Sequence, residues 1–134
     1  MSAFDRAVRY VLYGLFGGVE DVKLDEDLSQ YITDKNQRAL YDLYRLKSQD
    51  NTNSLEELTS QEESNPEVRA ILDEGSKIGD ETAAKYFNDC VIKIIKEGSK
   101  KRKKELTRAI DSETDSEARL IMVSQLAQIN NNKR

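Results

Sequence analysis

Residues 80–98 read DETAAKYFNDCVIKIIKEG, and this stretch decides the fold. Its apolar residues recur at three- and four-residue spacing, which predicts a helix with one buried stripe. The stripe consists of Ala83, Ala84, Phe87, Val91, Ile94 and Ile95. Past Gly98 the positions that would extend it are Lys101, Arg102 and Glu105, whose charges are costly to bury. We therefore expect the core to end near Gly98, whether or not the helix continues.

The segment after Gly98 predicts a helical hairpin. A small new apolar patch follows the charged residues and is formed by Leu106, Ala109 and Ile110. Residues 111–115, DSETD, then supply turn and helix-capping side chains. A last helix is expected from about Thr114 to Asn130. Two helices joined by a short polar turn are typical of an αα-hairpin.

The predicted last helix is apolar on two opposite faces. At about 100° per residue, one broad arc contains Ala118, Ile121, Met122, Leu126 and Ile129. The opposite arc contains Leu120, Val123 and Ala127. The preceding helix has enough apolar surface to cover one arc, and burial of a Leu or Val side chain is worth about 1.5–3 kcal/mol. An uncovered arc predicts a docking surface for a partner or a second copy of the chain; the alternative is a helix sandwiched inside one compact bundle.

The remaining sequence predicts short helices and contains no alternating strand pattern. We therefore expect an all-α fold, a multi-helix bundle followed by a C-terminal helical hairpin, with subdomains at residues 1–98 and 99–134. Further helices are predicted from Ser2 to Phe16, after Asp25 (carrying Leu28, Tyr31 and Ile32), after Asp34, near Leu55 and from Pro66 to Gly75. Lys47 to Asn53 is predicted to be a loop. The start, Met1-Ser2 directly before a helix, suggests an excised domain.

Catalytic chemistry has few candidate residues in this chain. There is no histidine, the commonest general base near neutral pH, and the single cysteine, Cys90, leaves no zinc-ligand spacing. Gly17-Gly18 lacks the lysine and hydroxyl residue of a phosphate-binding loop. The acids at 25–27 are typical of a solvated surface, and Cys90 lies beside the apolar stripe as a packed thiol. We predict a non-catalytic chain without metal, cofactor or small-molecule substrate.

The sequence also predicts a compartment. One cysteine cannot form an internal disulfide, which favours a reducing, cytoplasmic setting. No apolar run reaches the length of a membrane span. Asp5 and Arg6 interrupt the start of the chain, where a signal peptide would be apolar. We therefore expect a cytoplasmic protein that does not enter membranes.

Charge is unevenly distributed along the chain. Residues 1–98 hold 12 Lys and Arg against 20 Asp and Glu, whereas residues 99–134 hold 9 against 5. Much of the positive charge lies in Lys100-Lys-Arg-Lys-Lys104. Three interpretations remain open: a solvated helix surface, electrostatic steering toward an acidic protein partner, and contact with nucleic-acid phosphates. No aromatic residue follows Phe87, so base stacking by the hairpin is not supported.

Two features point to a family. One is the order of elements: a helical bundle, a long exit helix and a charged terminal hairpin. The other is a set of segments, namely Phe4-Asp-Arg-Ala-Val-Arg-Tyr-Val-Leu12, Ala84-Lys-Tyr-Phe87, Glu117-Ala-Arg-Leu120 and Ser124-Gln-Leu-Ala127. Across essentially the whole chain, these diffuse patterns resemble the C-terminal helicase-binding domain of bacterial DnaG-type DNA primases.

The resemblance implies a protein-interaction module. In that family the hairpin docks onto the N-terminal domains of the replicative helicase and couples primer synthesis to unwinding during DNA replication, while a separate domain synthesises RNA. From the two apolar arcs we expect the partner-binding residues to be Arg119, Leu120, Ile121, Val123, Ser124 and Ala127, with Arg119 as a rim charge. The alternatives are a nucleic-acid-binding or a homodimerising accessory helical domain.

Overall fold

The structure is a computed structural model that describes residues 2–20, 22–48 and 55–131. The described residues form six helices, α1 (Ala3–Tyr13), α2 (Lys35–Ser48), α3 (Leu55–Thr59), α4 (Pro66–Ser76), α5 (Asp80–Ser112) and α6 (Ser116–Asn131), and contain no strand. A short π-helical turn, Gly14–Gly18, follows α1 directly. This architecture confirms the all-α prediction. Of the predicted loop from Lys47 to Asn53, the first two residues belong to α2 and the rest lies outside the described residues.

Three of the helices begin at a polar side chain that caps the first turn. Ser2 accepts a hydrogen bond from the Asp5 backbone N–H at 3.1 Å and caps α1. Asp34 caps α2, since its Oδ1 accepts from the Gln37 backbone N–H at 3.0 Å. Asn65 caps α4 immediately before Pro66, where the missing N–H of proline costs nothing. Where α1 ends, Gly17 takes the left-handed backbone conformation, with φ of 104°, and the chain leaves the helix axis there.

The core is centred on the packing of α1 against α5. Phe87 of α5 is fully buried, and a Cβ added to Gly14 would lie 2.5 Å from its ring. Glycine therefore permits the close approach of the two helices at this point. Tyr10, one turn before Gly14, and Tyr86, directly before Phe87, meet edge to face with ring centroids 4.6 Å apart. The apolar stripe predicted for residues 80–98 faces this core, with Ala83, Phe87, Cys90 and Ile94 buried.

Helix α4 is joined to α1 by packing and by an ion pair. Arg9 donates through Nε and Nη2 to the two carboxylate oxygens of Glu67 at 2.7 and 2.9 Å. Buried Gln37 of α2 donates to the same carboxylate at 2.9 Å, so three helices share one acid. The hydrogen bonds to Glu67 raise the pKa of Arg9. Beside this network the Tyr13 ring lies against Gly75, where an added Cβ would be 2.3 Å from the ring.

The helix predicted after Asp25 is absent, and that prediction is wrong. The Asp27 carboxylate accepts from the Ser29 backbone N–H at 2.9 Å and from the Tyr41 hydroxyl at 3.1 Å, and this local bonding competes with a helix. The backbone makes a turn in which the Tyr31 N–H donates to the Leu28 carbonyl at 2.9 Å. Leu28 and Ile32 are nevertheless buried, because this non-helical segment packs against the core of the bundle.

Helix α5 is continuous through Gly98 and extends 33 residues from Asp80 to Ser112. Gly98 is buried, and it is the last buried residue in the part of the chain that the structure describes. The Tyr31 ring packs on it, and Arg102 one turn later hydrogen-bonds the Gln30 side chain. Lys101 is exposed. The core therefore ends at Gly98 while the helix continues beyond it as one arm of the hairpin.

Replacement of Gly98 by alanine tests whether glycine serves close packing at this position. Alanine favours a helix interior by about 1 kcal/mol over glycine, but its Cβ would lie 2.7 Å from Tyr31 Cδ1 and 2.9 Å from Tyr31 Cβ. We expect Gly98→Ala to lower the free energy of unfolding in urea denaturation. In a Tyr31→Gly background the same substitution should raise it by about 1 kcal/mol. Stabilisation in both backgrounds would contradict the proposed packing role.

Candidate functional site

The hairpin reverses direction over three residues between α5 and α6. Helix α5 ends where the Glu113 backbone becomes extended. The Glu113 carboxylate accepts from the Asp115 backbone N–H at 2.9 Å, and the Asp115 carboxylate accepts from the Glu117 N–H at 3.1 Å. Asp115 therefore caps α6, which begins at Ser116, two residues after the predicted start near Thr114. The turn returns α6 along α5, and the two helices pack together.

Half-buried residues identify the faces that α5 and α6 turn toward each other. On α5 they recur at helical spacing and are Ser99, Arg102, Lys103, Leu106, Ala109, Ile110 and Glu113. On α6 they are Ala118, Met122, Leu126 and Ile129. We call this contact the hairpin seam. The predicted patch of Leu106, Ala109 and Ile110 thus covers one arc of α6, and the long stems of Arg102 and Lys103 extend the seam toward the bundle.

The opposite side of α6 is exposed and largely apolar. Leu120 is 68% exposed, Ile121 61% and Val123 45%. Ala127 and Ser124 are exposed on the same side, as is Arg119 at its edge. We call these six residues the outer face of α6. The helix carries two charged side chains, Glu117 and Arg119, so little charge surrounds the apolar residues. Contiguous exposed apolar residues of this size typically mark an interaction surface.

The structure shows which arc faces α5. Helical angle groups Ile121 with Ala118, Met122, Leu126 and Ile129, which we call the inner arc, and Ile121 is also among the expected partner-binding residues. It is the one member of this arc that is exposed. The inner arc is centred nearer Met122 and Leu126, because α6 meets a single neighbouring helix here and the side chain at the margin remains in solvent. A helix sandwiched inside one compact bundle would not leave Ile121 and Leu120 more than half exposed.

Positive charge occupies the other side of the arm. Lys100, Lys101, Lys104 and Arg108 are exposed and project from α5 away from the hairpin seam, as their helical spacing requires. We call these four residues the cationic stripe. The basic run predicted from the sequence ends at Lys104 and does not include Arg108. A spacing of four residues nevertheless places Arg108 on the same side of the helix as Lys104. The outer face of α6 and the cationic stripe therefore lie on opposite sides of the two-helix arm.

The described residues contain no group of three or more His, Cys, Asp and Glu placed to hold a metal ion. Asp27, in a shallow depression of about 310 Å³, has a lowered pKa, chiefly because the Ser29 backbone N–H donates to it. Its second oxygen pairs with Arg45 at 3.1 Å. The contacts of this carboxylate therefore stabilise the local turn and the packing of α2 against it.

Cys90 is buried in the core at the interface of α5 with α1, beside Tyr86 and Tyr10. Burial raises the pKa of the Cys90 thiol from 9.0 to about 11. Reactive cysteines have lowered pKa values and an accessible sulfur. The environment of Cys90 is therefore that of a structural thiol.

Comparison of the chain with protein-family models, curated protein sequences and solved structures finds no match. Among the helices of the described chain, none is both long and apolar enough to span a membrane.

The raised pKa of Cys90 predicts a loss of stability at alkaline pH. The folded state favours the neutral thiol, so this contribution is complete below pH 9 and is lost as the pH rises from 9 to about 11. We expect the free energy of unfolding of the wild type to fall across this interval by roughly 2 kcal/mol more than that of Cys90→Ala, since one pKa unit corresponds to about 1.4 kcal/mol. Ionisation of tyrosines remote from Cys90 is common to both proteins and cancels. Cys90 also raises the pKa of Tyr86 and Tyr10, which adds to the difference between the two proteins in the same direction. An equal fall in urea denaturation of both would contradict the buried-thiol interpretation.

Proposed function

We propose that this chain is a protein-interaction domain whose outer face of α6 docks onto the N-terminal domains of a replicative helicase. The observation that carries the proposal is the exposure of Leu120, Ile121 and Val123 on a helix with little charge. On this proposal the chain is a non-catalytic accessory domain of a bacterial primase, works in the cytoplasm, and couples primer synthesis to unwinding.

The outer face has the chemistry of an interface centre. Leu120, Val123, Ser124 and Ala127 recur at three- and four-residue spacing and form one ridge along α6. A partner groove that takes up such a ridge gains about 1.5–3 kcal/mol for each large apolar side chain it fully buries. Interfaces have an apolar centre depleted of charge and a polar rim, which Arg119 and Glu117 would supply. Helix-in-groove recognition uses anchors at this spacing.

The choice of partner rests on the resemblance to primase helicase-binding domains. Two of the segments that carry the resemblance, Glu117-Ala-Arg-Leu120 and Ser124-Gln-Leu-Ala127, lie on α6 and contribute four residues to its outer face. The other two, in α1 and at the start of α5, contribute core residues such as Phe87. The resemblance therefore involves both the bundle and the face that would bind.

A second copy of the chain is the alternative occupant of the outer face. The near-neutral ridge would meet its own copy with little charge repulsion. Sedimentation velocity across a range of concentrations distinguishes the two: helicase docking predicts a monomer, and a monomer–dimer equilibrium that Leu120→Asp abolishes would favour self-association.

Two substitutions on the outer face test helicase docking. Leu120→Asp and Val123→Asp each place a charge in the expected interface centre, where the loss should be at least about 2 kcal/mol, or roughly thirtyfold in affinity. The measurement is calorimetry or co-elution with a bacterial replicative helicase. Circular dichroism should remain unchanged, because both side chains are exposed in the free domain.

The bundle provides a matched control for these variants. Leu46 in α2 is 68% exposed, the same as Leu120, and does not lie on the hairpin. Leu46→Asp makes the same chemical change and should retain wild-type affinity for the helicase. Binding that survives both hairpin substitutions, or that is weakened equally by Leu46→Asp, would exclude the outer face as the docking site.

A further inference from the structure

The cations of the stripe are exposed and form no direct ion pair within the described chain, although the carboxylates of Glu97, Glu105 and Asp111 lie on the same side of α5. Within residues 2–20, 22–48 and 55–131, no ion pair or side-chain hydrogen bond involves Lys100, Lys101, Lys104 or the guanidinium of Arg108. Lys100 and Lys104, and Lys104 and Arg108, are like charges four residues apart on one helix. Like charges at this spacing repel each other on a helix surface. A polyanion lying along the stripe would remove this repulsion.

The position of the cationic stripe separates it from the outer face of α6. A partner seated on Leu120 and Val123 approaches the arm from the α6 side, whereas the stripe faces away from the hairpin seam. The stripe therefore does not form the rim of that interface. Its charge also differs from the net charge of the bundle, because residues 1–98 are acidic overall. A polyanion would accordingly meet this domain along the arm.

The residues around the stripe indicate which class of anionic ligand it would bind: a protein, a membrane surface or a nucleic acid. A protein interface has an apolar centre, and a helix that binds a membrane surface has an apolar face beside its basic residues. The apolar residues at this level of α5, Leu106, Ala109 and Ile110, all turn into the hairpin seam. The stripe itself offers cations on flexible stems with no apolar neighbour. Contact with a nucleic-acid backbone requires these features alone.

The stripe also matches the backbone of a duplex in scale. From Lys100 to Arg108 the helix rises about 12 Å, over which duplex DNA presents roughly seven phosphate charges. No aromatic residue follows Phe87, so the arm has no side chain on which an unpaired base would stack. A duplex, whose bases are already stacked, does not require one. We propose that the cationic stripe binds the phosphate backbone of a nucleic-acid duplex without reading its sequence, independently of the docking role of α6.

Salt-dependent binding to a fluorescein-labelled DNA duplex tests the proposal. Fluorescence anisotropy with the full chain and a duplex of about 20 base pairs should give a slope of log affinity against log salt of about −3 to −4, because roughly four phosphates are neutralised. The dissociation constant at physiological salt should be on the order of 10–100 μM, in the range of non-specific binding. The titration is therefore best begun at low salt.

A charge-matched pair of variants locates the site. The first combines Lys100→Gln, Lys101→Gln and Lys104→Gln; the control combines Lys23→Gln, Lys35→Gln and Lys85→Gln, three exposed lysines on the bundle. Both lose the same net charge. The stripe variant should bind at least about tenfold more weakly at low salt, with a slope reduced by roughly 2–3. The control should change affinity less than about twofold, and neither should lose helical circular dichroism.

Several results would overturn the proposal. An equal loss of affinity in the stripe variant and the control would assign binding to net charge instead of the stripe. Binding to anionic phosphatidylglycerol vesicles in place of the duplex would assign the surface to membranes. Tighter binding to oligo-dT of the same length than to the duplex would exclude the backbone of paired strands as the ligand.

Discussion

The packing of α5 against α1 is the contact on which the rest of this structure depends. Phe87 lies fully buried where Gly14 lets the two helices approach, and the edge-to-face pair of Tyr10 and Tyr86 extends the contact. Because α5 continues without a break to Ser112, this packing also fixes the direction in which the arm leaves the bundle. Tyr31 on Gly98 holds the helix at its exit point.

Helix α5 buries two different faces along its length. Between Ala83 and Gly98 it turns one face toward the bundle, and from Ser99 to Glu113 it turns another toward α6. By helical angle the two faces are roughly 120° apart. The outward side of the second segment is therefore free of apolar side chains, which makes room for the cationic stripe. Different residues of this one helix therefore form part of the core, one side of the hairpin seam and the charged surface.

The arm consequently has two chemically distinct sides. Its α6 side presents Leu120, Ile121 and Val123, and its α5 side presents the cationic stripe. An apolar ridge and a row of exposed cations favour different ligands, because one is stabilised by removal of water and the other by neutralisation of charge. Two ligands could occupy the arm at once without steric overlap. A domain with both surfaces could hold a protein partner while its arm lies along a nucleic acid.

The sequence by itself determined the helices, their caps at Asp34 and Asn65, the end of the core at Gly98, and the existence of two apolar arcs on α6, because each depends on local spacing or on a side chain bonding its own backbone. Only the tertiary structure decided what each face meets. Residues 25–32 contain a helical pattern, but Asp27 bonds Ser29 and Tyr41 instead, and Tyr31 packs on Gly98 sixty-seven positions away in the chain. Similarly, periodicity groups Ile121 with Ala118 and Met122, but these two are half-buried against α5 whereas Ile121 lies in solvent, because α6 meets a single neighbouring helix. Periodicity gives the direction of a side chain from its own helix, but its burial depends on which distant segment lies opposite.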